Sequence, residues 1–238
     1  MKRSLSVTVV ITVVLLLLGA TGCTELRARD QLNKGVNAFK NAQYPEAVEH
    51  FREAAELDPT LITARLSLAT AYMSQYIPGA ESADNIEMAN TAMAEFQNVL
   101  KTEPQNTIAL ASIASLHFHQ KEFDEAEEWN LKLIEADPNY KEAYYSLGVI
   151  AWTKTFQPRM EARAELGMKP EDPGPLNDKK VREELAAKSL PIINAGLENL
   201  EKAIKVDPEY DDAMAYLNLL YRERADLMET KEEYDREV

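Results

Sequence analysis

Few side chains here are of types that do chemistry, and their spacing argues against most of the chemistry open to them. There are three histidines, His50, His117 and His119. His117 and His119 stand two apart on a predicted helix and so point in different directions, whereas a helical zinc site wants ligands about three or four residues apart. His117 falls on the face expected to pack inside its helical unit, which makes it a core histidine. A single cysteine, Cys23, permits neither an internal disulfide framework nor a cysteine-rich metal site. No His-Glu-x-x-His, Gly-x-Ser-x-Gly or phosphate-loop pattern occurs. Acidic pairs such as Glu46 and Glu49 read as solvated helix faces, since carboxylates alone do not make a catalytic dyad. An enzyme is therefore not expected, nor a cofactor, a metal or a small-molecule substrate. What recurs instead is a set of large apolar residues, Phe39, Met73, Phe118 and Trp152, at matching places along the chain. Their chemistry is recognition.

Composition agrees with a helical binding device. The 238 residues are 45% hydrophobic, with only 8 glycines and abundant Ala, Leu, Glu and Lys. That mixture favours helix and can supply a core. Forty acidic residues against 26 basic ones give a net charge of −14. The first 22 residues hold Lys2 and Arg3 and no acid, so their removal takes −14 to −16. Such a charge argues against nucleic acid or an anionic membrane surface as the main partner.

The elements that would position the apolar set come from a repeat. Pro59, Pro104, Pro138 and Pro208 each follow an acid (Asp58, Glu103, Asp137, Asp207). Twelve residues upstream stand Ala47, Ala92, Ala126 and Gly196; eight upstream stand Phe51, Phe96, Asn130 and Leu200. Five upstream are Ala54, Val99, Leu133 and Ala203, and ten downstream are Ala69, Ala114, Gly148 and Asn218. Pro104 and Pro138 are 34 residues apart without a gap. Small residues at fixed places let two helix backbones approach, a large residue fills the space left over, and proline ends the second helix. Each unit then needs its neighbours to bury its apolar face.

This spacing resembles the tetratricopeptide repeat family over about 28–222. Gly35, Tyr44, Ala47, Phe51, Ala54 and Pro59 carry the pattern in the first unit. Leu110, Ala114, Phe123, Ala126 and Pro138 carry it in the third, and Tyr144, Leu147 and Gly148 begin the fourth. The resemblance implies an all-α fold: a right-handed superhelical solenoid of about four helix–turn–helix units and a C-terminal capping helix over 28–228. A charged tail is expected at 229–238, with a frayed second helix as the alternative.

Departures from the frame mark insertions. Ala69 to Pro104 is 35 residues against 24 from Gly35 to Pro59, so 11 extra residues sit around 77–87, where Pro78-Gly79 and Asp84-Asn85 supply turn chemistry. Gly148 to Pro208 is 60 residues, so 36 are inserted, around 157–190. Within them 160–166 is predicted helical. Pro170, Pro173, Gly174 and Pro175 read as a stiff exposed loop. Asn177 or Asp178 then caps a new helix, with a kink expected at Pro191. The prediction is a long helical hairpin in the fourth unit that projects from the solenoid. The alternative is a loose loop.

The first residues read as an export signal: Lys2 and Arg3, an apolar run over 5–18, then Gly19-Ala20-Thr21-Gly22. The run is short for a bilayer span, which needs about 20 residues. With Cys23 following at once, the segment resembles a bacterial lipoprotein signal (1–22), although Ala20 stands where that family usually has Leu. The resemblance implies diacylglyceryl attachment at Cys23, cleavage before it, and a short tether over 23–27. Thr24 after the cysteine implies outer-membrane sorting, facing the periplasm. Ordinary cleavage, leaving a free thiol, is the alternative.

In the tetratricopeptide family the first helices line a concave groove. The resemblance therefore places Leu32, Val36, Phe39, Leu66, Thr70, Met73, Phe118, Tyr145, Val149, Trp152 and Arg222 along a candidate peptide-binding stripe. The competing expectation is that the stripe is core, or is covered by the terminal helix or the insertion. Leu32 and Val36 occupy places where the family's basic carboxylate clamp needs Lys and Asn, so a chaperone-tail receptor is not expected. The function expected is a non-enzymatic, membrane-anchored scaffold for protein or peptide partners in the bacterial envelope. A self-associating structural protein of the envelope is the first alternative, and an enzyme the less favoured second.

Overall fold

The structure, a computed structural model, describes residues 24–238. Among them are ten helices and no strand: α1 (24–40), α2 (Tyr44–Leu57), α3 (Ile62–Met73), α4 (Ala83–Thr102), α5 (Thr107–His119), α6 (Phe123–Ala136), α7 (Lys141–Glu165), α8 (Lys179–Val206), α9 (Asp211–Ala225) and α10 (Lys231–Glu237). They form two compact units, one ending at Gln120 and the other beginning at Lys121.

In the first unit the repeat positions do what their sizes demand. Ala47, Ala54, Ala69, Ala92, Phe96 and Val99 are fully buried, as is nearly all of Phe51. Gly35 has no room for more: a Cβ there would lie 2.5 Å from the Phe51 ring. The turn after α1 is a Schellman closure. The amide of Gln43 donates to Ala38 O (2.9 Å) and that of Ala42 to Phe39 O (3.0 Å), which puts Ala42 at φ 57°. The acid before proline also has a task. Asp58 accepts from both the amide (3.0 Å) and the hydroxyl (2.6 Å) of Thr60, closing the turn between α2 and α3.

The first insertion divides between loop and helix. Ser82 caps α4, which therefore starts well before the repeat frame requires. The remaining loop is drawn inward by buried Asn85, whose side chain accepts from the Ile77 amide (2.7 Å) and donates to the carbonyls of Ile77 (2.9 Å) and Ala80 (2.8 Å).

In the second unit the same logic recurs. Cβ atoms added at Gly148 and Gly196 would stand 2.3 Å from Leu200 and 2.5 Å from Ala151. Asn130, in a slot that elsewhere holds Phe or Leu, is buried and donates to Ala126 O and Ser146 Oγ. The insertion is a helical hairpin: α7 runs to Glu165 through Pro158, and α8 is capped by Asp178, whose carboxylate accepts from the Val181 amide (3.0 Å).

Two expectations are corrected. The hairpin tip keeps Pro170 and Pro173 exposed but does not project freely. Leu176 is fully buried in the unit's core, and its amide donates to the backbone O of Asp226 (2.9 Å), tying the tip to the end of α9. The reason is a buried ion cluster described below. Residues 24–27, expected as tether, are helical, and Arg27 reaches Glu53 at 3.6 Å. The charged tail takes the helical alternative: Thr230 and Glu233 form a reciprocal capping box, and Arg224 holds Glu237 at 2.8 Å. Cys23 and the signal segment lie outside the described residues.

Candidate functional site

Four stripe residues of the first unit, Val36, Phe39, Leu66 and Thr70, converge on one apolar cavity of about 480 Å³. Phe51 backs it, Thr63, Ser67 and Thr70 line its α3 side, and Lys40 and Ile108 complete it. The reason lies in helical spacing. Val36, Phe39 and Lys40 share one face of α1; Thr63, Leu66, Ser67 and Thr70 share one face of α3. Ile108 is 57% exposed, a large aliphatic side chain left in water beside an apolar cavity. Phe39 is steadied by an edge contact with Tyr44, ring centroids 5.2 Å apart.

The cavity's electrostatics differ from those of the whole chain. α3 and α5 contain no Asp or Glu, while α2 carries Glu46, Glu49, Glu53 and Glu56 and α4 carries Asp84, Glu87 and Glu95. Lys40 is the one charged residue in the lining. A strongly acidic protein thus presents here a face of methyls, rings and hydroxyls.

The other stripe residues go elsewhere. Leu32 packs into the interior of the first unit. Met73 and Phe118 are half-buried and do not line the cavity; Phe118 meets the His119 ring at 5.9 Å. In the second unit Tyr145 and Trp152 are taken up by aromatic packing. Tyr216 of α9 sits edge-on to both at 5.6 Å, Tyr210 lies 5.2 Å from Tyr145, and Phe156 lies 4.8 Å from Trp152. Tyr216 of α9 thus packs against both of these stripe residues. Val149 is buried, and Arg222 is exposed on α9. Lys40, Thr63, Ser67 and Ile108 went unmarked in the sequence. The first three could have been found by extending the helical faces of Val36 and Leu66.

The second unit also holds a group of charges with no counterpart in the repeat. Arg163 is 1% exposed, and Glu223 and Asp226 are each 2% exposed. Arg163 Nη1 donates to both oxygens of Asp226 (2.8 Å), and its Nη2 donates to the carbonyls of Lys169 (2.8 Å) and Asp172 (2.6 Å). Arg159 Nη1 donates to Asp226 Oδ2 (2.9 Å). Arg159 Nε and Glu223 Oε2 stand 2.9 Å apart, yet neither atom has an aligned hydrogen bond. Burial pushes the Glu223 carboxyl up to about 7, against the pull of Arg159 and helped by the neighbouring negative charge of Asp226. Among the described residues no group of three or more His, Cys, Asp or Glu is placed to hold a metal ion, and no helix is long and apolar enough to cross a membrane.

Comparison with known proteins follows the same frame. The tetratricopeptide repeat family model matches residues 87–148, from α4 to the first turns of α7. Over those residues the chain carries tetratricopeptide repeat sequence. Tetratricopeptide repeats mediate protein–protein interaction. Among curated relatives, Hsp70-Hsp90 organizing protein 3 of Arabidopsis thaliana is 24% identical over 115 residues, 48% of this chain and 19% of that protein. Sperm-associated antigen 1 of Rattus norvegicus is 29% identical over 112 residues, 47% of this chain and 11% of that protein. The chain thus spans less than a fifth of each. Among solved structures, MamA from Desulfovibrio magneticus RS-1 superposes with a TM-score of 0.57 at 17% identity, over 89% of this chain and 93% of that one. A protein from Bacteroides ovatus ATCC 8483 gives 0.54 at 17%, over 84% and 99%. At these identities the likeness is one of fold.

Proposed function

We propose that this chain is a non-enzymatic adaptor anchored to a bacterial membrane, whose first unit holds a peptide segment of an envelope protein. The observation that carries the reading is the cavity formed by Val36, Phe39 and Leu66, apolar and free of carboxylate on a chain of net charge −14. Soluble proteins leave such apolar surface uncovered where something docks. Rings and branched aliphatics in a pocket supply most of the affinity of a peptide anchor. The hydroxyls of Thr63 and Ser67 and the amine of Lys40 would fix the orientation of the bound main chain.

Anchoring rests on sequence: a basic start, an apolar run over 5–18, small residues, and the chain's one cysteine directly after them. Two or more acyl chains hold a protein at a membrane durably where one does not. The mass of the mature N-terminus decides it. Cleavage before Cys23 with added acyl mass is expected; an unmodified cysteine rules the anchor out. For the groove, Phe39→Glu with Leu66→Glu should abolish specific recovery of partners from detergent-solubilised envelope while helical content stays unchanged. Undiminished recovery would remove the groove from the account.

A further inference from the structure

The clustered charges of the second unit lie where three segments meet: the end of α7, the α7–α8 loop, and the end of α9 just before α10. Arg163 reads the loop by gripping the carbonyls of Lys169 and Asp172, and reads α9 by gripping the Asp226 carboxylate. The Leu176 amide completes the junction on Asp226 O. Asp226 takes both guanidinium groups. Glu223 Oε2 faces Arg159 Nε at 2.9 Å without an aligned hydrogen bond, on a side chain almost wholly buried.

We propose that Glu223 is a proton-operated catch on this junction: neutral, it lets the hairpin tip and the α9–α10 end close on one another, and ionised, it loosens them. This goes beyond the adaptor reading and stands independently of it. A neutral carboxyl is tolerated in a dry site where a carboxylate lacking hydrogen bonds is not. The charged groups facing it are Arg159 from α7 and Asp226 from the end of α9, with Arg163 behind Asp226. Arg224 of α9 is directed to Glu237 of α10 and Asn194 of α8, and Tyr221 of α9 to Glu201 of α8. The loop's Asp172 carboxylate accepts from the Lys169 amide.

The sign follows from linkage. The carboxyl is raised from its ordinary 4.5 to about 7, so between those values the folded chain holds a proton that the unfolded chain has released. Its contribution is complete below pH 4.5 and is lost as pH rises through about 7. The junction therefore closes best in mild acid. A reporter is built in: the Arg159 guanidinium lies over the Phe156 ring at 5.7 Å, and Phe156 packs on Trp152 at 4.8 Å.

The test uses the full mature chain carrying Trp129→Phe, so that Trp152 is the one tryptophan. Amide-exchange protection at Leu176 and Trp152 emission are followed between pH 5 and 8.5. Protection should fall by at least about tenfold across neutrality, emission should move with it, and both should stay flat in Glu223→Gln. The same pH profile in wild type and Glu223→Gln would overturn the catch. Independently of any variant, carbon NMR of the wild-type Glu223 carboxyl should titrate near neutrality. A midpoint in the ordinary carboxylate range would overturn it as well.

Discussion

Gly148 and Ala42 show how much one side chain decides in this fold. At Gly148 the Leu200 side chain occupies the space a methyl would need, only 2.3 Å from the added Cβ. Gly148→Ala should cost about 1–3 kcal/mol through forced repacking, read as a lower denaturant midpoint. Ala42 presents the reverse case. It sits at φ 57° in a closure that glycine would occupy without strain. Ala42→Gly should therefore stabilise the first unit by roughly 1 kcal/mol, read as a higher midpoint at unchanged slope. The size pattern was readable in the sequence, because small and large residues recur at fixed distances from Pro59, Pro104, Pro138 and Pro208. The ion cluster was not. Arg163 and Asp226 are 63 positions apart, and nothing local distinguishes a buried carboxylate from the many solvated ones around it.

At the scale of elements, what matters is how each insertion is kept in the fold. Asn85 makes three hydrogen bonds into the loop between α3 and α4, joining two backbone carbonyls and an amide. Asn85→Ala would leave those groups without partners, and a loss of about 1–3 kcal/mol of local stability is expected. Amide exchange at Ile77 checks it: protection should drop there while the α2 amides are unaffected. Helix boundaries followed from the sequence where a cap announced them, as with Asp178 at the start of α8. The hairpin's direction did not follow, because Pro170, Pro173 and Pro175 carry the composition of an exposed loop. Its burial depends on Leu176 meeting a core and Arg163 meeting Asp226, both long-range contacts. The stripe divides for a similar reason. Val36 and Phe39 stay beside an open cavity, whereas Tyr145 and Trp152 meet Tyr216 of α9, a helix the repeat frame places but whose aromatic face it does not specify.

At the scale of the whole molecule, charge and repeat point the same way. Acidic residues are concentrated on α2 and α4 in the first unit, and the cavity face is left uncharged except for Lys40. An acidic exterior keeps the protein soluble and disfavours polyanions, while the cavity remains available to an apolar segment. The central claim, that this cavity holds a partner's peptide, is tested most directly by photo-crosslinking from position 108 in intact cells. A photoreactive amino acid replacing exposed Ile108 reports whatever lies in the cavity without disturbing the core. The account predicts discrete adducts to one or a few envelope proteins, lost when Phe39→Glu is added. No adduct, or adducts indifferent to Phe39→Glu, would contradict it.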